Sequence, residues 1–227
     1  MGDSGEEDDY ESYYQSAKQY QEDELYQSAI NDYNQCIAIY SDRDSIFAFI
    51  AQCYYEQQDY ENAIRNFSKA IDFSNSQNAD YFFERGKSYS KLTQHIQAQS
   101  DFDEAISIDP SNANFHLSQG DDFFLQGRYD SAKQAYIKYL DLNLNYIGYY
   151  KRGNANYKLR KLDDAIKDYT KSIELNQTYS NAYRNRGIAK YEICQEGACS
   201  DLKKAGDLGD SKAYDEYKRI SNNNECD

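Results

Sequence analysis

Few residues in this chain have the type and spacing that chemistry requires. Its only two histidines, His95 and His116, have no candidate nucleophile beside them. Related stretches of the chain carry Tyr26, Tyr60 and Tyr129 in the place of His95, and Tyr13, Phe47 and Phe82 in the place of His116. Both therefore read as packed rings rather than proton carriers. No phosphate-binding glycine loop, G-x-S-x-G or H-E-x-x-H run occurs. Asp141, Asn143 and Asn145 begin like a calcium loop, but Tyr146 stands in the obligatory glycine place and Arg152 in that of the bidentate glutamate. The five cysteines (Cys36, Cys53, Cys194, Cys199, Cys226) have neither zinc spacing nor the regularity of a disulfide framework. Cys36 and Cys53 fall on apolar faces, while Cys199 and Cys226 would be free to pair in an exported form. Asn66-Phe-Ser68 and Asn176-Gln-Thr178 fit a glycosylation sequon, as chance allows in a chain rich in Asn and Ser. The expectation is no catalytic residue, no metal and no cofactor: not an enzyme.

What remains is binding chemistry, and the composition narrows it. The formal charge of −14 over 227 residues argues against nucleic acid, whose phosphates need clustered Lys and Arg. The charge is graded: residues 1–78 carry 16 acidic and 4 basic side chains, residues 79–145 carry 10 and 6, and residues 146–227 carry 13 and 15. Such polarity can steer a charged partner. No apolar run reaches membrane-spanning length, and no signal peptide is evident. Tyrosine is abundant, 25 against 10 Phe and no Trp, and its polar tip lets it line half-buried surfaces. With one Pro and 11 Gly the chain reads as almost entirely helical.

The elements that would position these side chains are helical hairpins. Within 44–77, Phe47, Ile50, Ala51 and Tyr54 form one helical face, and Tyr60, Ala63, Ile64, Phe67, Ala70 and Ile71 a second, with a polar turn at 57–59 between them. The unit is copied. Ala29, Ala63, Ala98, Ala132, Ala165 and Ala198 open successive second helices at spacings of 34, 35, 34, 33 and 33. A small residue precedes each in the first helix (Ala17, Ala51, Gly86, Gly120, Gly153, Gly187), and a large apolar one follows four places on (Tyr33, Phe67, Phe102, Tyr136, Tyr169, Leu202). A fixed period of this size, with paired helices in each copy, predicts a solenoid. Tyr139 breaks the pattern where other copies have Ala70, Ala105 and Ala205. Asn156 and Lys190 break it where others have Tyr54, Tyr89 and Phe123. Looser or differently angled packing is expected around units four to six, with Tyr157 and Tyr191 as substitutes.

Period, paired helices, small residues and aromatics together resemble tetratricopeptide repeats. The resemblance covers about residues 10–209 as six units: 10–43, 44–77, 79–112, 113–145, 146–179 and 180–209. The C-terminal segment is similar to the bacterial type, with a short last repeat and a capping helix over 211–221. Residues 1–9 read as a disordered acidic N-terminus and 222–227 as a polar tail, leaving a single domain over 10–221. The resemblance implies an all-α right-handed superhelical solenoid whose first helices line a concave groove. It places Tyr14, Tyr55, Phe83, Lys87, Leu117, Phe124, Tyr150, Asn154, Tyr157, Arg184, Asn185 and Tyr191 on that groove, with Lys18, Gln52, Asp121, Leu125 and Ile188 beside them. Asn154 and Asn185 match two asparagines of the sub-class that grips a C-terminal carboxylate, with Lys151 and Arg184 nearby. Tyr150 stands where that sub-class has its key lysine.

The expected function is a non-enzymatic protein–protein interaction module that binds a peptide or partner helix in a Tyr- and Phe-lined groove. The alternative is a self-assembling scaffold component, a homo-oligomer. The partner is another protein or peptide, with no nucleic acid and no membrane insertion. The compartment is cytoplasmic, or periplasmic for an exported form whose signal has been removed.

Overall fold

A computed structural model describes residues 4–222, with side chains placed for residues 6–221. Among the described residues the chain is all α. Six helical pairs follow one another: α1 Ser4–Glu22 with α2 Tyr26–Ile39, α3 Asp44–Glu56 with α4 Tyr60–Phe73, and α5 Ala79–Lys91 with α6 His95–Ile108. Next come α7 Ala113–Leu125 with α8 Tyr129–Leu142, α9 Tyr146–Lys158 with α10 Leu162–Leu175, and α11 Ser180–Glu192 with α12 Ala198–Asp207. A last helix, α13 Ser211–Asn222, packs on α12.

The chain divides into two compact units, the first ending at Pro110 and the second beginning at Ser111, where the repeat pattern suggests one domain over 10–221. The boundary falls at the only proline, which lacks a backbone donor and bars helix at the residue before it. Within the first unit α2 packs on α3 and α4 on α5. Within the second, α8 packs on α9, α10 on α11 and α12 on α13. Helix α1 begins at Ser4, earlier than the expected Tyr10. Glu6 and Glu7 sit in its first turn, where the helix dipole favours negative charge. Cys226 and the tail 223–227 lie outside the described residues; Cys36, Cys53 and Cys194 are free thiols.

Each hairpin turns by the same device. After α3, Gln58 N–H bonds the carbonyl of Tyr55 and Asp59 N–H that of Tyr54, both at 2.9 Å, with Gln58 at φ 63°. This is the Schellman arrangement, which satisfies carbonyls that the helix end leaves open. The same pair of bonds recurs around Glu24, Thr93, Gly127, Arg160 and Cys194, all in the left-handed region. Glycine occupies that place once. Other ends are capped by side chains: the carboxylate of Asp59 accepts from Asn62 N–H, and the Asn145 side chain accepts from Gly148 N–H.

Close approach of the paired helices explains the small residues. A Cβ at Gly120 would lie 2.6 Å from the ring of Tyr136, and one at Gly153 2.8 Å from that of Tyr169. The aromatic ring occupies the space a side chain would need. Three hairpins add an arginine–aspartate bridge beside this contact. Arg85 grips Asp101 through two bonds of 2.8 Å, and Arg152 and Arg186 grip Asp168 and Asp201 in the same way. Arg85 also donates to Ser68 and Arg186 to Thr170, tying each hairpin to the helix before it.

The irregular positions are filled differently from expectation. Buried Tyr139 fits because Gly148 faces it; a Cβ there would come within 2.8 Å of its ring. Its hydroxyl is hydrogen-bonded to the Asn145 amide. Asn156 and Lys190 do not leave gaps for Tyr157 and Tyr191 to fill. Asn156 donates to Asp168 at 2.9 Å, and Lys190 pairs with Asp201 at 2.8 Å. The aspartate–arginine bridge gives these polar residues a partner that an aromatic would not need.

The hairpin turns supply a stability test. A branched residue at positive φ is strained by about 1–2 kcal/mol, partly offset by the chain entropy that glycine loses on folding. Thr93→Gly is expected to raise the thermal midpoint by about 2–4 °C, and Gly127→Thr to lower it by a similar amount, in scanning calorimetry.

Candidate functional site

The second unit contains a cavity of about 280 Å³ lined by Phe124 of α7, Asn154, Tyr157 and Lys158 of α9, Tyr169 of α10, and Asn185 and Ile188 of α11. Helical spacing brings these side chains together: 150, 154, 157 and 158 share one face of α9, and 185 and 188 share one face of α11. Gly153 lets α10 approach, so that the ring of Tyr169 reaches the cavity from behind α9. Its hydroxyl donates to Asn154 Oδ1 at 2.9 Å. Asn185 Nδ2 donates to the same Oδ1 at 2.8 Å and contacts Tyr150 Oη at 3.3 Å. The two amides are thereby oriented. Asn154 keeps its N–H₂ and Asn185 its carbonyl as groups not spent on each other, one donor and one acceptor in an otherwise aromatic and aliphatic wall.

The tyrosine hydroxyl plays the same part in two other hairpins. Tyr136 donates to Asp121 at 2.8 Å, and Lys151 Nζ reaches both oxygens of that carboxylate at 2.8 Å. Tyr33 donates to Gln21 at 2.9 Å at the back of a first-unit cavity of about 380 Å³, lined by Lys18, Gln21, Glu22, Tyr33 and Phe49. Burial pushes the hydroxyls of Tyr33, Tyr136 and Tyr169 well above the ordinary tyrosine range; the Asp121 charge adds to this for Tyr136. From the wall of the second-unit cavity Tyr157 donates to Glu192, and Arg160 bonds the other oxygen of that carboxylate. Burial, then this bond, pushes Tyr157 up to about 12. The same bond, with that from Arg160, holds the Glu192 carboxyl below its usual range.

The structure brings Phe124, Asn154, Tyr157 and Asn185 together around one space, with Tyr150 beside them, packed on Tyr169 and Tyr179. Leu117 and Phe124 both pack against Ala132, Tyr136 and Ala155. Half-buried Tyr191 packs, like Ile188, against the core formed by Cys199, Leu202, Ala205, Ala213 and Ile220, and does not line the cavity. Arg184 is committed elsewhere: it pairs with Asp210 at 2.9 Å, and Asp210 caps α13. With Lys151 held by Asp121, neither cation suggested for a carboxylate joins the asparagines. In the first unit Lys87 stands over the rings of Tyr55 and Phe83 at 5.1 and 5.3 Å and pairs with Glu84 at 2.8 Å. Tyr14 packs separately, against Tyr33 and Phe49. Lys158, Phe49, Gln21 and Glu22 escape a reading of the inner face by repeat position. Phe49 alone carried a signal, an aromatic two places from the core stripe.

Comparison with known proteins follows the same repeat. Family models described as "Tetratricopeptide repeat" match residues 146–179 and 79–112, and one described as "TPR repeat" matches residues 51–92. RNA polymerase II-associated protein 3 of Mus musculus is 29% identical over 137 residues, 59% of this chain and 20% of the relative. DnaJ homolog subfamily C member 7 of Homo sapiens is 36% identical over 110 residues, 46% of this chain and 22% of the relative. The chain thus spans about a fifth of the length of these two proteins. Among solved structures, the C-terminal part of a TPR repeat-containing protein from Cytophaga hutchinsonii superposes with a TM-score of 0.75 at 21% identity, over 86% of this chain and 78% of the other. YrrB, described as a TPR protein with an unusual peptide-binding site, superposes with a TM-score of 0.68 at 19% identity, over 82% and 97%.

The buried hydroxyls predict an alkaline limit. Unfolded tyrosines ionise near pH 10, whereas Tyr33, Tyr136 and Tyr169 resist in the fold, so the native state holds more protons above that pH. Their contribution is complete below about pH 10 and falls by about 1.4 kcal/mol per tyrosine for each further pH unit. Tyrosinate absorbance and helical circular dichroism are expected to change together above pH 10, with Tyr169→Phe reducing the slope.

Proposed function

The chain is a tetratricopeptide repeat protein, and from that premise we propose that it is a non-enzymatic protein–protein interaction module binding an extended peptide or a partner helix. The observation carrying this reading is the cavity of about 280 Å³ around Asn154 and Asn185. It is slightly smaller than typical small-molecule pockets, so it suits a single side chain of a larger partner. Phe124, Tyr157 and Ile188 offer apolar contact, while the paired amides offer a donor and an acceptor to the partner's main chain. Preordering by the tyrosine hydroxyls lowers the ordering cost of binding. In the first unit, Tyr14, Tyr55, Phe83 and Lys87 are the corresponding contacts. Arg184 and Tyr191 support the site through the packing of α11 rather than touching the partner.

No helix among the described residues is long and apolar enough to cross a membrane. Cys36, Cys53 and Cys194 are free thiols but Cys199 is disulfide-bonded, and a disulfide persists in an oxidising compartment, which favours the exported form over the cytoplasmic one. A second reading, assembly of copies into a scaffold, is favoured by the charge gradient from the acidic residues 1–78 to the mildly basic 146–227. Sedimentation separates the two, since a monomer at high concentration excludes self-assembly.

Asn185→Asp keeps the shape of the side chain and removes the donor to Asn154 and Tyr150. A carboxylate there repels Asn154 Oδ1 and undoes the orientation of both amides, so binding of a captured partner is expected to weaken about tenfold with the helical signal unchanged. Titration calorimetry against that partner makes the check, and unaltered affinity in both Asn185→Asp and Phe124→Ala refutes binding at this cavity.

A further inference from the structure

Most cations around the cavity are already spent. Lys151 is held by Asp121, Arg152 by Asp168, Arg184 by Asp210, and Arg186 and Lys190 by Asp201. The α9–α10 turn differs. It presents Lys158, Arg160 and Lys161 within four residues, and Lys158 lines the cavity. Lys161 reaches Asp130 only at 4.0 Å. The side chain of Arg160 is 68% exposed, and its carboxylate partner is Glu192, the last residue of α11. Glu192 is also the acceptor of the Tyr157 hydroxyl, and Tyr157 is itself part of the cavity wall. A carboxylate from the neighbouring repeat is thus bonded to a residue of the cavity wall, on one hydroxyl and one guanidinium. Nothing buries it deeply: its side chain keeps 25% of its surface in solvent, and an exposed ion pair of this kind is weak.

We propose that Glu192 is an internal stand-in for the partner's carboxylate, and that the cavity takes an internal segment in which an acidic residue adjoins an apolar one. The partner's carboxylate replaces that of Glu192 on Arg160 and Tyr157, Lys158 adds charge beside it, and the apolar side chain enters between Phe124 and Ile188. Charge complementarity with the basic turn selects the acidic segment. A chain terminus is not required. The groups that face the main chain are the neutral amides of Asn154 and Asn185, and Tyr150 adjoins them in place of a lysine. The inference rests on the interaction-module reading above, and adds the chemical class of the partner and a competing contact.

The test uses the whole chain and two blocked peptides, N-acetylated and C-amidated, with a leucine flanked by two glutamates or by two glutamines. Amide spectra of isotope-labelled protein report binding at the side-chain N–H₂ groups of Asn154 and Asn185. The glutamate peptide is expected to bind about fivefold more tightly than the glutamine peptide at low salt, and the difference to shrink in high salt. Glu192→Gln is expected to tighten the glutamate peptide about fivefold and leave the glutamine peptide unchanged, whereas Arg160→Gln abolishes the preference. A purely structural role for Glu192 predicts the opposite sign, weaker binding of both peptides. Equal binding of the two peptides, or no gain in Glu192→Gln, overturns the proposal and leaves the module reading standing. Shifts from neither peptide overturn both.

Discussion

A tyrosine ring wedged between two helices, with its hydroxyl obliged to find a partner, is the contact on which the rest of this protein depends. The ring demands that the facing helix present almost nothing, which is why Gly120 and Gly153 lie opposite Tyr136 and Tyr169. Burial removes the hydroxyl from water, and an unsatisfied group there costs about 1–3 kcal/mol. The hydroxyl therefore passes between the helices to the polar residue on the far side: Gln21 for Tyr33, Asp121 for Tyr136 and Asn154 for Tyr169. The hairpin core and the inner surface are in this way set by one side chain. Where the slot holds Phe67, Phe102 or Leu202, no such bond reaches the inner face.

The arginine–aspartate bridges divide labour with that contact. Arg85, Arg152 and Arg186 join the two helices of their hairpins through partly buried, two-pronged pairs, a geometry suited to guanidinium and not to lysine. Removing one partner would strand a charge away from water, so these residues are structural and unavailable to a ligand. The same accounting explains why Arg184 and Lys151 do not form a carboxylate site with the asparagines. What stays uncommitted is small: two oriented amides, a few apolar side chains and a basic turn. Specificity in a repeat array arises from such remainders, because the residues that close each hairpin are already spoken for.

How much of this was legible without coordinates follows from the range of the forces involved. The helical hairpins, their register, the small residue facing the aromatic and the capping helix were readable from the sequence. Each depends on periodicity along one helix or on a fixed offset within one repeat. Asn154, Asn185, Phe124 and Tyr157 were also singled out there, by repeat position and family resemblance, and they line one cavity. Tertiary structure alone decided which of these meet, where the compact units divide, that Asn156 and Lys190 answer to aspartates, and that Glu192 closes on Tyr157 and Arg160. Those outcomes rest on side chains 11 to 35 residues apart choosing among several polar partners. A hydrogen bond or ion pair is settled by distance and direction within a fraction of an ångström, and sequence spacing does not encode that.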